Sequence, residues 1–299
     1  MKEIWDIVAE FERRPGEPLA LATLVRANGS SYRRSGARML IAPDGHTAGV
    51  LSGGCLEEEV VARAQDVLAT GRPTLLRFDT RLRYGCNGTI DIFLEKLDPE
   101  FLHRIAASLG RRQACDVMTE FENSKSLGSR ILEKKEDVPE GAFRQTITPP
   151  LQLLLIGHGP DSAALRSFAA TLGWSVFEVE EMDALPNEFD EWTAAIVKTH
   201  NYGRDYAALA RLLPLGLRYL ALLGPRRRRD QLLHALIEEG VVRRSEFFAP
   251  AGLDLGAESP EEIALAIVSE IQATFARTKA EPLRDRKRAI HLLPDFAVV

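Results

Sequence analysis

The sequence predicts an α/β chain in two parts: an N-terminal α+β domain, then a Rossmann-like domain with a doubly wound parallel sheet. Three observations carry this. From Leu151 onward, strand-length apolar runs alternate with amphipathic helical stretches, the pattern of a parallel sheet with crossover helices. A glycine-rich turn, Gly157-x-Gly159-x-x-Ser162, joins the first of those runs to the first of those helices. Before residue 123 the texture differs, with short alternating runs and a Pro43-Asp44-Gly45 turn that reads as a hairpin. A length of 299 residues accommodates two such domains.

In chain order, Ile4, Trp5, Ile7, Val8 and Phe11 recur at helical spacing. PLALATLVRA is a strand, the stretch NGSSYRRSG is turn-rich, and ARMLIA and HTAGVLS flank the hairpin turn. A helix over 56–69 puts Leu56, Val60, Val61, Ala64 and Leu68 on one face. TIDIFLEKL alternates as a strand, and Asp98-Pro99-Glu100 opens a helix with an N-cap and a first-turn proline. ACDVMTEFE closes the first domain, 1–122, and 123–150 reads as a connecting segment that returns to it or leads onward. The second domain, 151–277, has strands LQLLLIG, WSVFEVE, TAAIVKTH and LRYLALLG and helices over 161–172, 203–213, 226–239 and 260–276. Ser259-Pro260-Glu261-Glu262 is a capping box. Residues 278–299 form a charged, then apolar, tail.

Composition excludes some classes. A net charge of −5 argues against a dedicated nucleic-acid binder. No run approaches the roughly 18 apolar residues of a membrane span, and the N-terminus lacks a signal-peptide pattern. Three widely separated cysteines make neither a disulfide framework nor a zinc spacing, so the expected compartment is a reducing cytoplasm.

The glycine turn of the second domain has the ingredients of a phosphate site: Gly157 for the turn, Gly159 for close backbone approach, and a helix N-terminus beyond. Glu180, about 20 residues on, is placed to accept ribose hydroxyls. An empty nucleotide fold is the plain alternative. Gly157, His200 and Gly224 each end a strand, where open α/β sheets place their ligand crevice. His200, followed by Asp205, is the titratable group on that rim, while Arg226 to Arg229 read mainly as a solvated helix start.

In the first domain Gly53-Gly54-Cys55 precedes a helix whose first turn is Glu57-Glu58-Glu59. A thiolate near a helix N-terminus is stabilised, although the glutamates oppose the effect. Cys86 lies in a similar setting, in RYGCNGTIDIF, and the two thiols would meet if the loops converge. Two small residues in tight turns are the plain alternative. GSSYRRSGAR supplies Ser30, Ser31, Arg34 and Arg38, suited to an oxyanion.

Together these stretches resemble the xanthine dehydrogenase accessory factor family (XdhC/CoxI). GSSYRRSGARML, LSGGCLEEEV and GCNG are similar to its first-domain motifs; IGHGP, THNYGRD, LLGPRRRR and PAGLDLGAESPEEIA to those of its second. The likeness spans nearly all of 1–275. Tyr32, Asn87, Pro160 and Pro225 depart from the pattern, and the last two remove backbone donors from the rim. The resemblance implies a non-catalytic maturation factor that binds molybdenum cofactor (a molybdopterin), holds it for sulfuration by a cysteine desulfurase, and inserts it into a molybdenum hydroxylase apoenzyme. It implies cofactor contacts at Ser30, Ser31, Arg34, Arg38, Gly53, Gly54, Cys55, Glu57 and Cys86, with Cys55 and Cys86 toward the molybdenum. On the second domain the candidates are Gly157, Gly159, Glu180, His200 and Asp205. The alternative is an NAD(P)-dependent oxidoreductase with His200 as acid/base and Asp205 orienting it. No nucleic-acid or membrane-spanning partner is expected, and a homodimer is one assembly open to the chain.

Overall fold

In the computed structural model, which describes residues 2–29, 31–79, 88–123, 125, 127–134 and 136–287, the chain divides into two units at Pro149 and Pro150. The first begins with α1 (Lys2–Arg13), whose Ile4, Ile7 and Val8 share one buried face. Strands β1 (Ala20–Gly29), β2 (Arg38–Ile41) and β3 (Thr47–Gly49) follow, then α2 (Glu57–Thr70), β4 (Thr74–Asp79) and β5 (Gly88–Lys96). They form an antiparallel sheet of order β3-β2-β1-β5-β4. Helix α3 (Pro99–Gly110) starts where the Asp98 side chain accepts from Glu100 N, with Pro99 supplying a first-turn φ that needs no donor. Strands β6 (Cys115–Glu120), β7 (Gly128–Leu132) and β8 (Ala142–Ile147) make a second antiparallel sheet of order β7-β6-β8.

The central strand β1 explains the layering. Ala20, Ala22 and Leu24 face α2 and pack with Val60, Ala64 and Val67. Leu19 and Leu21 lie on the opposite side with α1, α3 and Val117 and Ile147 of the small sheet. Cys115 belongs to this second core and is a buried free thiol.

The second unit carries β9 (Gln152–Ile156), α4 (Asp161–Leu172), β10 (Ser175–Val179), β11 (Thr193–Val197), α5 (Tyr202–Leu212), β12 (Tyr219–Leu222), α6 (Arg226–Glu238), β13 (Phe247–Phe248) and α7 (Pro260–Phe275). The strands are parallel, in the order β10-β9-β11-β12-β13. Leu153, Leu155, Ala194 and Ile196 pack under α4 and α7. Leu154, Ile156, Ala195 and Val197 pack under α5 and α6. Each fully buried leucine, isoleucine or valine contributes roughly 1.5–3 kcal/mol, and both faces of the sheet are covered. The chain leaves β9 toward β10 on one side and resumes at β11 on the other, so the topological switch lies at the C-terminal ends of β9 and β11. Among the described residues no helix is long and apolar enough to cross a membrane.

Candidate functional site

Ser52 organises the Gly53-Gly54-Cys55 loop. Its Oγ accepts from Gly54 N at 3.1 Å, Cys55 N at 3.2 Å and Leu56 N at 3.4 Å. Gly54 has φ +101°, which an L side chain would strain. Glu57, the first residue of α2, reaches back and accepts from Leu51 N at 3.2 Å, Ser52 N at 2.8 Å, Leu56 N at 3.1 Å and Ser52 Oγ at 2.6 Å. Burial opposes ionisation of this carboxyl and is the largest single influence. The hydrogen bonds from Ser52 and Leu56 together outweigh it and hold Glu57 below its ordinary value. The backbone donors that flank the loop, of Leu51, Ser52 and Leu56, therefore already hold an anion, the chain's own, while those of Gly54 and Cys55 point to Ser52 Oγ. Glu57, expected as a cofactor contact, acts in this structure as the loop's internal cap. What the loop presents outward is Cys55, an exposed free thiol whose Sγ lies 3.5 Å from Ser52 Oγ.

The arginine loop that precedes β2 borders a cavity of about 320 Å³. Glu3 of α1 anchors the loop, accepting from Arg38 N at 2.8 Å and pairing with Arg33. Arg38 is 3% exposed. Its Nη1 donates to Gln145 Oε1 of β8 and, at 3.2 Å, to Gly36 O. Its Nε and Nη2 have no hydrogen-bond partner, an uncommon state for a buried guanidinium. Burial lowers its pKa to about 10, against the pull of Glu95, Glu3 and Cys115, so it stays cationic at neutral pH. Arg33, Arg34 and Arg38 line the cavity with one acidic residue, Glu3, which leaves its wall cationic. Tyr32 stands on the same wall, and a Cβ built on Gly53 would lie 4.0 Å from its ring, so the thiol loop and the arginine loop meet here. Ser31 is half-buried on the arginine loop. Ser30 and Cys86 lie outside the described residues, so the expected meeting of Cys55 and Cys86 has no geometry to report.

In the second unit Gly157 follows β9 at φ +95°, and a Cβ there would come within 2.6 Å of Thr199 Cα. Only glycine lets the two strand ends approach this closely. His200 is exposed, with φ +56°. The expected pairing of His200 with Asp205 does not form. Asp205 is fully buried, accepts from Thr199 N at 3.2 Å and Thr199 Oγ1 at 2.5 Å, and ion-pairs with Arg228 at 2.6 Å. Arg228 is thus a buried-pair partner rather than part of a solvated helix start. Glu180 is exposed, and its carbonyl accepts from Arg204. The head of α4 carries the carboxylate of Asp161 and, at Pro160, no N–H. A pyrophosphate would meet charge repulsion there, and the nicotinamide expectation finds no support in this rim.

Sequence reasoning missed Lys198 and Asp161. Lys198 is 0% exposed, donates to Ser162 Oγ at 2.6 Å and lies 3.4 Å from Asp161 Oδ2. The available signal was a lysine closing an apolar run at the switch point of the sheet. Among the described residues no group of three His, Cys, Asp or Glu side chains is arranged to hold a metal ion.

The class is therefore a two-unit α/β protein: an antiparallel unit with an exposed thiol beside a cationic cavity, and a Rossmann-type parallel unit. The model of the XdhC and CoxI family matches residues 12–79, that of the XdhC Rossmann domain matches 153–271, and the chain belongs to this family. It is 31% identical to a probable xanthine dehydrogenase subunit of Bacillus subtilis, over 87% of this chain and 94% of that one. It is 26% identical to the molybdenum cofactor insertion chaperone PaoD of Escherichia coli, over 86% and 83%. The crystal structure of a xanthine dehydrogenase from Bacillus halodurans superposes with a TM-score of 0.78 at 24% identity, covering 94% of this chain and 97% of that one, which shows a shared fold.

Proposed function

We propose that this chain is an accessory factor that binds molybdenum cofactor as cargo, in the cytoplasm, and delivers it to a xanthine dehydrogenase-type molybdenum hydroxylase. The family membership and the likeness to PaoD support the general role. The observation that carries the site is Arg38, a buried guanidinium with two unpartnered nitrogens on the wall of a cationic cavity. A phosphate at that wall would give those donors their acceptors, and such charge-assisted bonds are the strong ones. Cys55, presented on the neighbouring loop, is the thiolate-forming group suited to a thiophilic metal. Arg34, Ser31, Gly53 and Gly54 complete the first-unit contacts, with Ser30 and Cys86 proposed from sequence alone. The chain itself turns over no substrate in this reading. It shields the cargo during sulfuration with a cysteine desulfurase and then releases it. The test is to purify the protein from a molybdate-replete host and assay it for molybdenum and for a fluorescent pterin after oxidation. Both should co-purify with the chain, and their absence would contradict the reading.

A further inference from the structure

Tyr32 lines the cationic cavity of the first unit, yet its side chain is 70% exposed. A single exposed aromatic is ordinary on a protein surface, but three features set this one apart. It shares its wall with Arg33, Arg34 and Arg38. It stands against the thiol loop at a glycine: a Cβ on Gly53 would lie 4.0 Å from Tyr32 Cγ, and one on the next residue, Gly54, would meet nothing within 4 Å. No side chain of those two residues therefore covers the ring. The cavity is also graded in depth. Arg38 is buried, whereas Tyr32 is open at the mouth, and Cys55 is exposed on the loop that adjoins it.

We propose that Tyr32 is the ring-stacking residue of this cavity: a ligand that joins a planar heterocycle to a phosphate enters phosphate first, and its heterocycle lies on the Tyr32 ring at the mouth. The proposal rests on the reading of this cavity as the cargo site, and adds to it the residue that holds the ring and the direction of entry. The phosphate goes to the depth because the buried cation is there, with Nε and Nη2 of Arg38 lacking hydrogen-bond partners. Burying a ring face on an aromatic is favourable by area and by stacking geometry together. Such a contact tolerates any planar heterocycle, since each presents a π-face. Tyr32 therefore supplies affinity and orientation, and the end of the ligand remote from the phosphate is left facing the Cys55 loop.

The test uses the full chain without metal and three probes: neopterin 3′-phosphate, neopterin, and glycerol 3-phosphate, which has no ring. Binding is followed by calorimetry, and for the two pterins by their fluorescence. Neopterin 3′-phosphate should bind more tightly than either of the others, and its fluorescence should be quenched as the ring stacks. Tyr32→Ala should weaken it about fivefold or more while leaving glycerol 3-phosphate unchanged. Tyr32→Phe should keep the parent's affinity, because the ring and not the hydroxyl makes the contact. Equal weakening of both phosphates by Tyr32→Ala would make Tyr32 a structural part of the arginine loop and overturn the proposal. Unchanged binding of neopterin 3′-phosphate to Tyr32→Ala, or none to the parent, would overturn it as well. Should Tyr32→Ala fail to fold, Tyr32→Leu, which keeps bulk without the ring, should show the same loss. Molybdenum retention separates this proposal from the reading beneath it. Equal molybdenum in the parent and Tyr32→Ala would contradict the stacking alone. No molybdenum in a parent that binds neopterin 3′-phosphate through Tyr32 would support the stacking and contradict the cargo reading.

Discussion

Glu57 Oε2 lies 2.6 Å from Ser52 Oγ, so the first side chain of α2 closes the loop that presents Cys55. The carboxyl is held below its ordinary value, so its contribution is present above that value and lost as pH falls through the folded-state pKa. Glu57→Gln should therefore cost about 1 kcal/mol at neutral pH, a modest figure because the group is partly exposed. The gap in melting temperature between the two proteins should close in acid, below the ordinary carboxylate range. A gap independent of pH would mean that shape, not charge, is what Glu57 contributes.

Lys198 and Asp161 form a buried pair 3.4 Å apart. Lys198→Met alone leaves the carboxylate buried without its cation and should cost about 3–5 kcal/mol. Adding Asp161→Ala removes the stranded charge and should recover most of that loss. Urea unfolding of the two single variants and the double variant measures this; strictly additive losses would show that the pair is not coupled.

Arg38→Met should cost about 1–3 kcal/mol, since it removes the Nη1 bonds to Gln145 Oε1 and Gly36 O while Nε and Nη2 have no partners to lose. Molybdenum retention should fall as well. A larger loss of stability in the unloaded protein would make Arg38 a structural strut rather than a waiting contact.

Much of this fold is legible where its signals are local. The capping box at Ser259 and Glu262 and the N-cap at Asp98 are read directly from neighbouring residues, and both form. The alternation of strands and helices after Leu151 follows from apolar runs that need no distant partner. The strands β7 and β8 are harder to read, because their apolar positions are few and charges interrupt them. The site is legible in part. The arginine loop and Cys55 are visible as unusual local composition, whereas the role of Glu57 depends on a side chain folding back over its own loop. Lys198 is hidden because a lysine at a strand end reads as solvated. Its burial makes sense only once Ser162 and Asp161 are brought beside it by the β9 to α4 turn.

The most direct test of the cargo site is bound molybdenum per chain, measured in parallel for the parent, Cys55→Ala and His200→Ala, each checked for folding. Cys55 is exposed on its loop, so its loss removes little core and should leave the fold intact. Cys55→Ala should lose most of the molybdenum while His200→Ala keeps it. Full occupancy in Cys55→Ala with loss in His200→Ala would contradict the proposed site and place the cargo in the second unit.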